Sequence, residues 1–315
     1  MTCEFGSVFM QTKHEVESLL ASAGVLPNKR LGQNFLIDLN LMRYLIDAAD
    51  ITPDDVVIEV GCGTGSFTEE IAERAAKVIV VEYDKTLAHI ASRQFEKKGL
   101  KNIHLINADA LENKNTLCTQ LLDALNEAVD DYAGGLKLVA NLPYSVATPV
   151  MVNLTTVESG RKKKKVDSMF VTVQKEVADR MAAKPGDGHY GVLSIILAAT
   201  GDIRVLKKLG TDVFWPRPAV SSAMVQYVRN EEKAKQIKDV DMLKEVVNLF
   251  MQHRRKMLKA CVKFAEGRLA QVTDFAEIFE QCGVDPTNRA EKITVEEYIN
   301  ISNECYDVCG KGRNV

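Results

Sequence analysis

Apolar residues are distributed along this chain in two modes. Short runs rich in Val, Ile and Leu, from Val56 to Val60, Val78 to Tyr83, Ile103 to Asp109, Leu136 to Leu142 and Val166 to Val173, alternate with longer helical stretches. That alternation predicts βαβ units and a mostly parallel sheet in an α/β fold. Two further runs, Leu193 to Val205 and Ser221 to Val228, are predicted to close the sheet as a hairpin-type pair, bringing the expected strands to seven. From about Asp239 the period changes. Leu243, Val246, Val247, Phe250, Met257, Leu258 and Cys261 recur at helical spacing and predict one apolar face of a small all-helical domain. The charged stretch Arg229 to Lys238 is the expected linker. Residues 1–229 are therefore read as an α/β domain with an N-terminal helical extension, and 230–315 as the helical domain.

A chain of 315 residues, 46% hydrophobic, can bury one large core and a smaller satellite. Its longest apolar stretch, Val192 to Ala199, is interrupted by Ser194 and is far short of the roughly 20 residues a membrane helix needs. Glu4 occupies the N-terminal region and no basic segment precedes an apolar one, so no secretory signal is read and the cytoplasm is the expected compartment. Seven cysteines are scattered, Cys305 and Cys309 lack a second pair at zinc spacing, and His89, His104 and His189 have no metal-like partners, so no metal is expected. The net charge of −3 excludes a protein that coats nucleic acid indiscriminately. Any such contact must come from local patches, of which Arg161 to Lys165 and the acid-free stretch Val246 to Ala265 are the candidates.

The segment Glu59-Val60-Gly61-Cys62-Gly63-Thr64-Gly65 follows the first strand and precedes a helix. A strand, glycine turn and helix in succession let a nucleotide approach the backbone closely. The spacing G-x-G-x-G departs from the dinucleotide fingerprint and favours S-adenosylmethionine over NAD. Glu82 ends the second strand, where it can accept both ribose hydroxyls of either cofactor, and Asp109 after the third is placed to accept from an adenine amine. Each element alone is also compatible with ordinary turns and solvated strand ends. Their order along the chain is the argument for a site.

The fourth strand ends in Asn141-Leu142-Pro143-Tyr144. An exocyclic amine on a planar base is a poor nucleophile because its lone pair is delocalised, so a site that alkylates it needs aimed acceptors and an aromatic face. Asn141 offers a side-chain carbonyl, Leu142 a backbone carbonyl, Pro143 a fixed φ and Tyr144 a stacking ring. Taken alone, the tetrapeptide could equally be a strand-to-loop turn. Phe214 is the candidate for the opposite face of the base; the alternative is that Phe214 and Trp215 are hydrophobic plugs under the Pro-rich loop.

These segments, together with Leu31-Gly32-Gln33-Asn34-Phe35-Leu36-Ile37-Asp38, Gln174-Lys175-Glu176-Val177 and the run from Phe214 to Ser222, closely resemble the small-subunit ribosomal RNA adenine N6,N6-dimethyltransferases of the KsgA/RsmA type, over roughly Leu19 to Ser302. The resemblance implies a seven-stranded class I methyltransferase (Rossmann-like) sheet with a small C-terminal all-helical, RNA-binding domain. It implies S-adenosyl-L-methionine as cofactor, with Gln33, Asn34 and Leu36 lining its site beside Glu59, Gly61, Gly63, Gly65, Glu82, Asp109 and Asn141. The implied reaction is dimethylation of two adjacent adenosines near the 3′ end of small-subunit rRNA. The implied partner is the immature small ribosomal subunit, and a monomer is expected. Arg255, Lys256, Lys259 and Lys263 are expected to form one helical basic stripe, either a phosphate contact or a solvated face, and Lys29 and Arg30 to meet the target strand. Arg161 to Lys165 are read as a solvated loop or at most a distal rRNA contact, and Leu111 to Gly135 as an enlargement. Rival readings are a large-subunit adenine methyltransferase of the antibiotic-resistance type, a non-catalytic assembly factor and an NAD oxidoreductase.

Overall fold

The structure is a computed structural model that describes residues 10–28, 31–113 and 116–311. It divides into two compact units, Met1–Ala178 with Val205–Gln226, and Asp179–Arg204 with Tyr227–Val315. The second unit thus takes in residues 179–204, which the sequence pattern assigns to the first domain.

One sheet has seven strands: β1 (Val56–Val60), β2 (Lys77–Glu82), β3 (Ile103–Asn107), β4 (Leu136–Asn141), β5 (Ser168–Gln174), β6 (Gly201–Leu209) and β7 (Ser222–Arg229). Their spatial order is β3-β2-β1-β4-β5-β7-β6. β1 runs parallel to both β2 and β4, β2 to β3, and β4 to β5. All five residues of β1 are buried, as expected of a central strand covered on both faces, which is why it reads as an unbroken apolar run with one exception, Glu59. The chain order reverses between β1 and β4, and the crevice at the carboxyl ends of such a pair is where open α/β sheets hold ligands. The glycine loop leaves β1 and the Asn141 turn leaves β4, so topology alone makes them neighbours.

Around this sheet the first unit adds a helix over Lys13–Ser22, started by a Thr12/Glu15 capping box, whose Val16 and Leu20 pack on Leu87 and Ile90. Phe35–Leu36 pairs antiparallel with Phe214–Trp215, joining two of the sequence motifs. The segment 111–135 holds a small antiparallel pair, Leu111–Asn113 with Thr116–Leu117, and an amphipathic crossover helix over Thr119–Asp131 that buries Leu121, Leu125 and Val129. Arg161 to Lys165 are bound to this neighbourhood. Arg161 pairs with Asp130 at 3.0 Å, Lys163 and Lys165 with Glu158 at 3.8 and 3.3 Å, and Lys164 with Asp167 at 3.8 Å. Lys162 donates to the carbonyls of Asp130 and Tyr132. Their charge is largely spent locally.

In the second unit, helices over Val192–Thr200, Val240–Gln252 and Val295–Lys311 pack around Phe250, whose ring lies 6.4 Å from that of Tyr298 and 6.1 Å from that of Phe279. Two sequence expectations need correction here. Leu193 to Ala199 is helix, not strand, and the strand begins only at Gly201. A helix buried all round carries no polar face, so its apolar run has no period to distinguish it from a buried strand. The periodic face from Leu243 onward is also not continuous. The helix ends at Gln252, a turn intervenes, and a short helix covers Leu258–Cys261, leaving Met257 47% exposed. Arg255 and Lys256 consequently lie in the turn, Lys259 in the short helix and Lys263 in a 3-10 turn, so they do not form one helical stripe.

Candidate active site

A cavity of about 260 Å³ opens in the first unit at the carboxyl ends of β1, β2 and β4. Gln33, Asn34, Leu36, Glu59, Gly61, Gly63, Glu82, Asp109 and all four residues from Asn141 to Tyr144 line it. Gly65 and Phe214 do not. Gly65 caps the helix Ser66–Ala72, and a Cβ there would lie 2.6 Å from the ring of Phe95. Phe214 is 3% exposed and packs in the core with Leu36 and Met42. The structure buries Phe214 in the core and keeps it off the cavity lining. The aromatic that lines the cavity from this side is Phe35, stacked on Trp215 with ring centres 6.2 Å apart.

The glycine loop and the Asn141 turn fit against one another. Gly61 has φ +81°, and a Cβ on it would sit 2.6 Å from Cγ of Pro143; one on Gly63, φ +59°, would sit 2.8 Å from the ring of Phe35. Only glycine tolerates both the backbone and the approach. In the turn itself the Leu142 N–H donates to the Thr172 carbonyl at 3.1 Å and the Val146 N–H to the Pro143 carbonyl at 3.2 Å. Among the described residues no backbone N–H outside the regular elements is paired with the Leu142 carbonyl. Asn141 donates its Nδ2 to the Asn34 carbonyl at 3.0 Å, which fixes the amide and leaves Oδ1 as the acceptor to spare. The Tyr144 hydroxyl is 3.2 Å from Ser222 Oγ, an anchor for a half-buried ring.

Electrostatics are set by three carboxyls, and the described lining residues include no Lys, Arg or His. Glu82, 6% exposed, accepts the N–H groups of Gly63 and Asp84, each at 2.9 Å. Burial raises its pKa, and those hydrogen bonds oppose the rise. Glu59, 2% exposed, is pushed up to about 8, first by burial and then by the nearby Glu82 and Glu69, against a hydrogen bond from Thr68. It is therefore largely neutral at ordinary pH. Asp109 is exposed, with one oxygen accepting from the Leu111 N–H at 3.0 Å. Gln33 ties the first motif to this end of the sheet, donating to Asp84 at 3.0 Å while accepting from the Asn28 N–H at 2.7 Å.

Tyr83, 60% exposed and lining the cavity, was not singled out by sequence reasoning. Its signal is an aromatic directly after the acid that ends β2. In the second unit Phe264, 37% exposed, carries Lys256 and Lys263 over its ring at 5.6 and 5.3 Å, with the His253 ring at 4.1 Å. Lys29 and Arg30 lie outside the described residues. Among the described residues no helix is long and apolar enough to cross a membrane, and no group of His, Cys, Asp and Glu could hold a metal ion.

The strand order, the glycine loop after β1 and the acid after β2 define a Rossmann-like α/β protein of the seven-stranded methyltransferase class. The family model for ribosomal RNA adenine dimethylase matches residues 25–307, and the chain belongs to that family. It is 35% identical over 291 residues to "Ribosomal RNA small subunit methyltransferase A" of Pediococcus pentosaceus, covering 91% of this chain and 92% of that one. The protein of the same name from Corynebacterium glutamicum is 36% identical over 294 residues, with 91% and 92% covered. Among solved structures, a dimethyladenosine transferase from Plasmodium falciparum aligns with a TM-score of 0.65 at 21% identity, covering 86% of this chain and 96% of that one. The 23S rRNA methyltransferase ErmE aligns at 0.53 and 20%, with 87% and 99% covered. At such identities the two structures speak for the fold.

Proposed function

We propose that this protein transfers methyl groups from S-adenosylmethionine to the N6 amines of two adjacent adenosines near the 3′ end of small-subunit rRNA, dimethylating each. The observation that carries the reading is the juxtaposition, in one cavity, of the glycine loop with the Asn141 to Tyr144 turn, Gly61 against Pro143. Family membership and relatives named for the small subunit support the choice of substrate. The ErmE alignment supports only the fold.

The lining fits a cationic adenosine cofactor. Glu82 is held by two N–H groups with lone pairs left for ribose hydroxyls, Asp109 has an oxygen available to an adenine amine, and Tyr83 and Phe35 supply apolar ring faces. Carboxyls without a lining cation favour a net positive ligand. When bound, S-adenosylmethionine supplies a methyl group already activated on a sulfonium. What remains for the chain is alignment and charge stabilisation. Asn141 Oδ1 and the Leu142 carbonyl hold the two amine hydrogens in the first transfer and the one that remains in the second, draw the nitrogen toward tetrahedral geometry and stabilise positive charge as it develops there, and after each transfer the methylated nitrogen gives up one proton to solvent. The target base leaves its stack to reach them, and the Tyr144 ring recovers part of that cost by stacking.

The second unit contributes RNA affinity through exposed Arg255, Lys256, Lys259 and Lys263, of which Lys256 and Lys263 lie over the Phe264 ring. The protein acts as a monomer, in the cytoplasm, on the immature small subunit. The test is transfer of labelled methyl to isolated small and large ribosomal subunits that lack adenine dimethylation. Label in small-subunit RNA is the expected result; label confined to large-subunit RNA, or tight binding without transfer, would replace this reading with one of its rivals.

A further inference from the structure

Ahead of the matched family region lies an arm, residues 10–24, that sequence patterns leave without a role. Its residue Gln11 is 6% exposed and directs its amide at Thr64 of the glycine loop and at Glu69 of the helix that follows it. Nε2 donates to the Thr64 carbonyl at 3.0 Å and to Glu69 Oε1 at 3.1 Å, while Oε1 accepts from the Thr64 hydroxyl at 2.6 Å. The Gln11 backbone N–H donates to Ser66 Oγ at 2.8 Å. Glu69 is itself fully buried and ion-paired to Lys98 at 2.7 Å, so Gln11 bonds to a fixed partner. On either side Gln11 is held. Met10 packs in the buried cluster with Met42 and Phe67, and Thr12 caps the helix whose Val16 lines the cavity.

Gln11 does not line the cavity, whereas Thr64 and Ser66 do. An amide satisfied at all three positions and bonded to both the carbonyl and the hydroxyl of one residue fixes that residue's backbone and side chain together. The peptides so fixed follow directly on Gly63, whose N–H meets Glu82. We infer that Gln11 is a positioning residue for the cofactor: through Thr64 and Ser66 it holds the glycine loop in its binding arrangement, so that affinity for S-adenosylmethionine depends on an arm outside the matched family region. The inference rests on the reading that this cavity takes S-adenosylmethionine. Its physical basis is preorganisation, since a loop ordered before binding spends none of the ligand's interaction energy on ordering.

Gln11→Met keeps the length and apolar volume of the side chain and removes the amide. Titration calorimetry with S-adenosylmethionine and with S-adenosylhomocysteine is compared with the wild type, alongside steady-state methyl transfer. A Kd raised about tenfold, with kcat at saturating cofactor within about twofold so that KM alone moves, is the expected result. A Kd within about twofold of wild type overturns the inference whatever happens to the melting temperature, because a merely structural role moves stability and not the KM-to-kcat split. Hydrogen exchange on the wild-type protein gives a check independent of any variant's folding. S-adenosylhomocysteine is expected to slow exchange of the amides from Gln11 to Ser22 together with those from Gly63 to Ser66, and an unprotected arm contradicts the inference. Failure of the wild type to bind either compound is a different result, which overturns the assignment of the cavity and the inference with it.

Discussion

Replacing Gly61 by alanine probes the contact on which the site is built. Two costs add. The residue has φ +81°, where an L side chain costs roughly 1–2 kcal/mol. The new methyl would lie 2.6 Å from Pro143 Cγ and 2.9 Å from Cδ, about 1 Å inside an ordinary carbon contact of ~3.5–4.0 Å. Relief requires the proline ring to move, and overpacking of this kind costs about 1–3 kcal/mol. The sum, roughly 2–5 kcal/mol, is within the ~5–15 kcal/mol stability of an ordinary domain, so the variant should fold. Gly99→Ala is the control: φ is +69° but nothing lies within 4 Å of the added Cβ, so only the backbone cost applies. Melting temperatures of both variants, with calorimetric cofactor affinity and methyl transfer, separate the two costs. Gly61→Ala is expected to melt several degrees below Gly99→Ala and to lose transfer through displacement of Asn141 and Tyr144, while Gly99→Ala keeps wild-type affinity. Equal melting temperatures and unchanged transfer in the two variants would refute the argument from the Gly61–Pro143 approach.

Asn141→Ala removes an acceptor aimed at the amine, and methyl transfer is expected to fall about 10²- to 10³-fold with cofactor affinity much less affected; near-normal turnover would remove the role. Glu59 gives a pH signature. Its pKa is raised from 4.5 to about 8, so the folded state keeps a proton that the unfolded chain gives up, and this contribution to stability is complete below about 4.5, declines as pH rises and is gone above about 8. In Glu59→Gln the urea midpoint should fall less between those pH values than in the wild type, with Glu69 and Glu82, shifted the same way, supplying the remainder; identical pH profiles would contradict the assignment. Replacing Lys259 and Lys263 by glutamate should flatten the salt dependence of RNA binding, by about one unit of slope per lost phosphate contact, and an unchanged slope counts against contact.

The central strands were legible because β1, β2, β4 and β5 are short, apolar and almost wholly buried, a pattern local to each segment, whereas β3, at the sheet edge, is partly exposed. Most of the site was legible for the same reason, since Gly61, Glu82 and Asn141 each stand at a strand's carboxyl end. What failed was non-local. Val192–Thr200 and a buried strand present the same apolar face to the reader, and only packing separates them. Whether Phe35 or Phe214 reaches the cavity depends on the register Phe35 to Trp215 between segments far apart in the chain. Gln11 begins a polar run, Gln11 to Glu15, its partners are over fifty positions away, and nothing in its neighbours announces them.

The most direct test of the central claim is to incubate the protein and S-adenosylmethionine with small ribosomal subunits lacking adenine dimethylation, then to locate the modified nucleosides by mass spectrometry of the digested RNA. The account predicts N6,N6-dimethyladenosine at two adjacent positions near the 3′ end, and its loss with Asn141→Ala. Absence of that nucleoside from small-subunit RNA incubated with folded, cofactor-binding protein would contradict it.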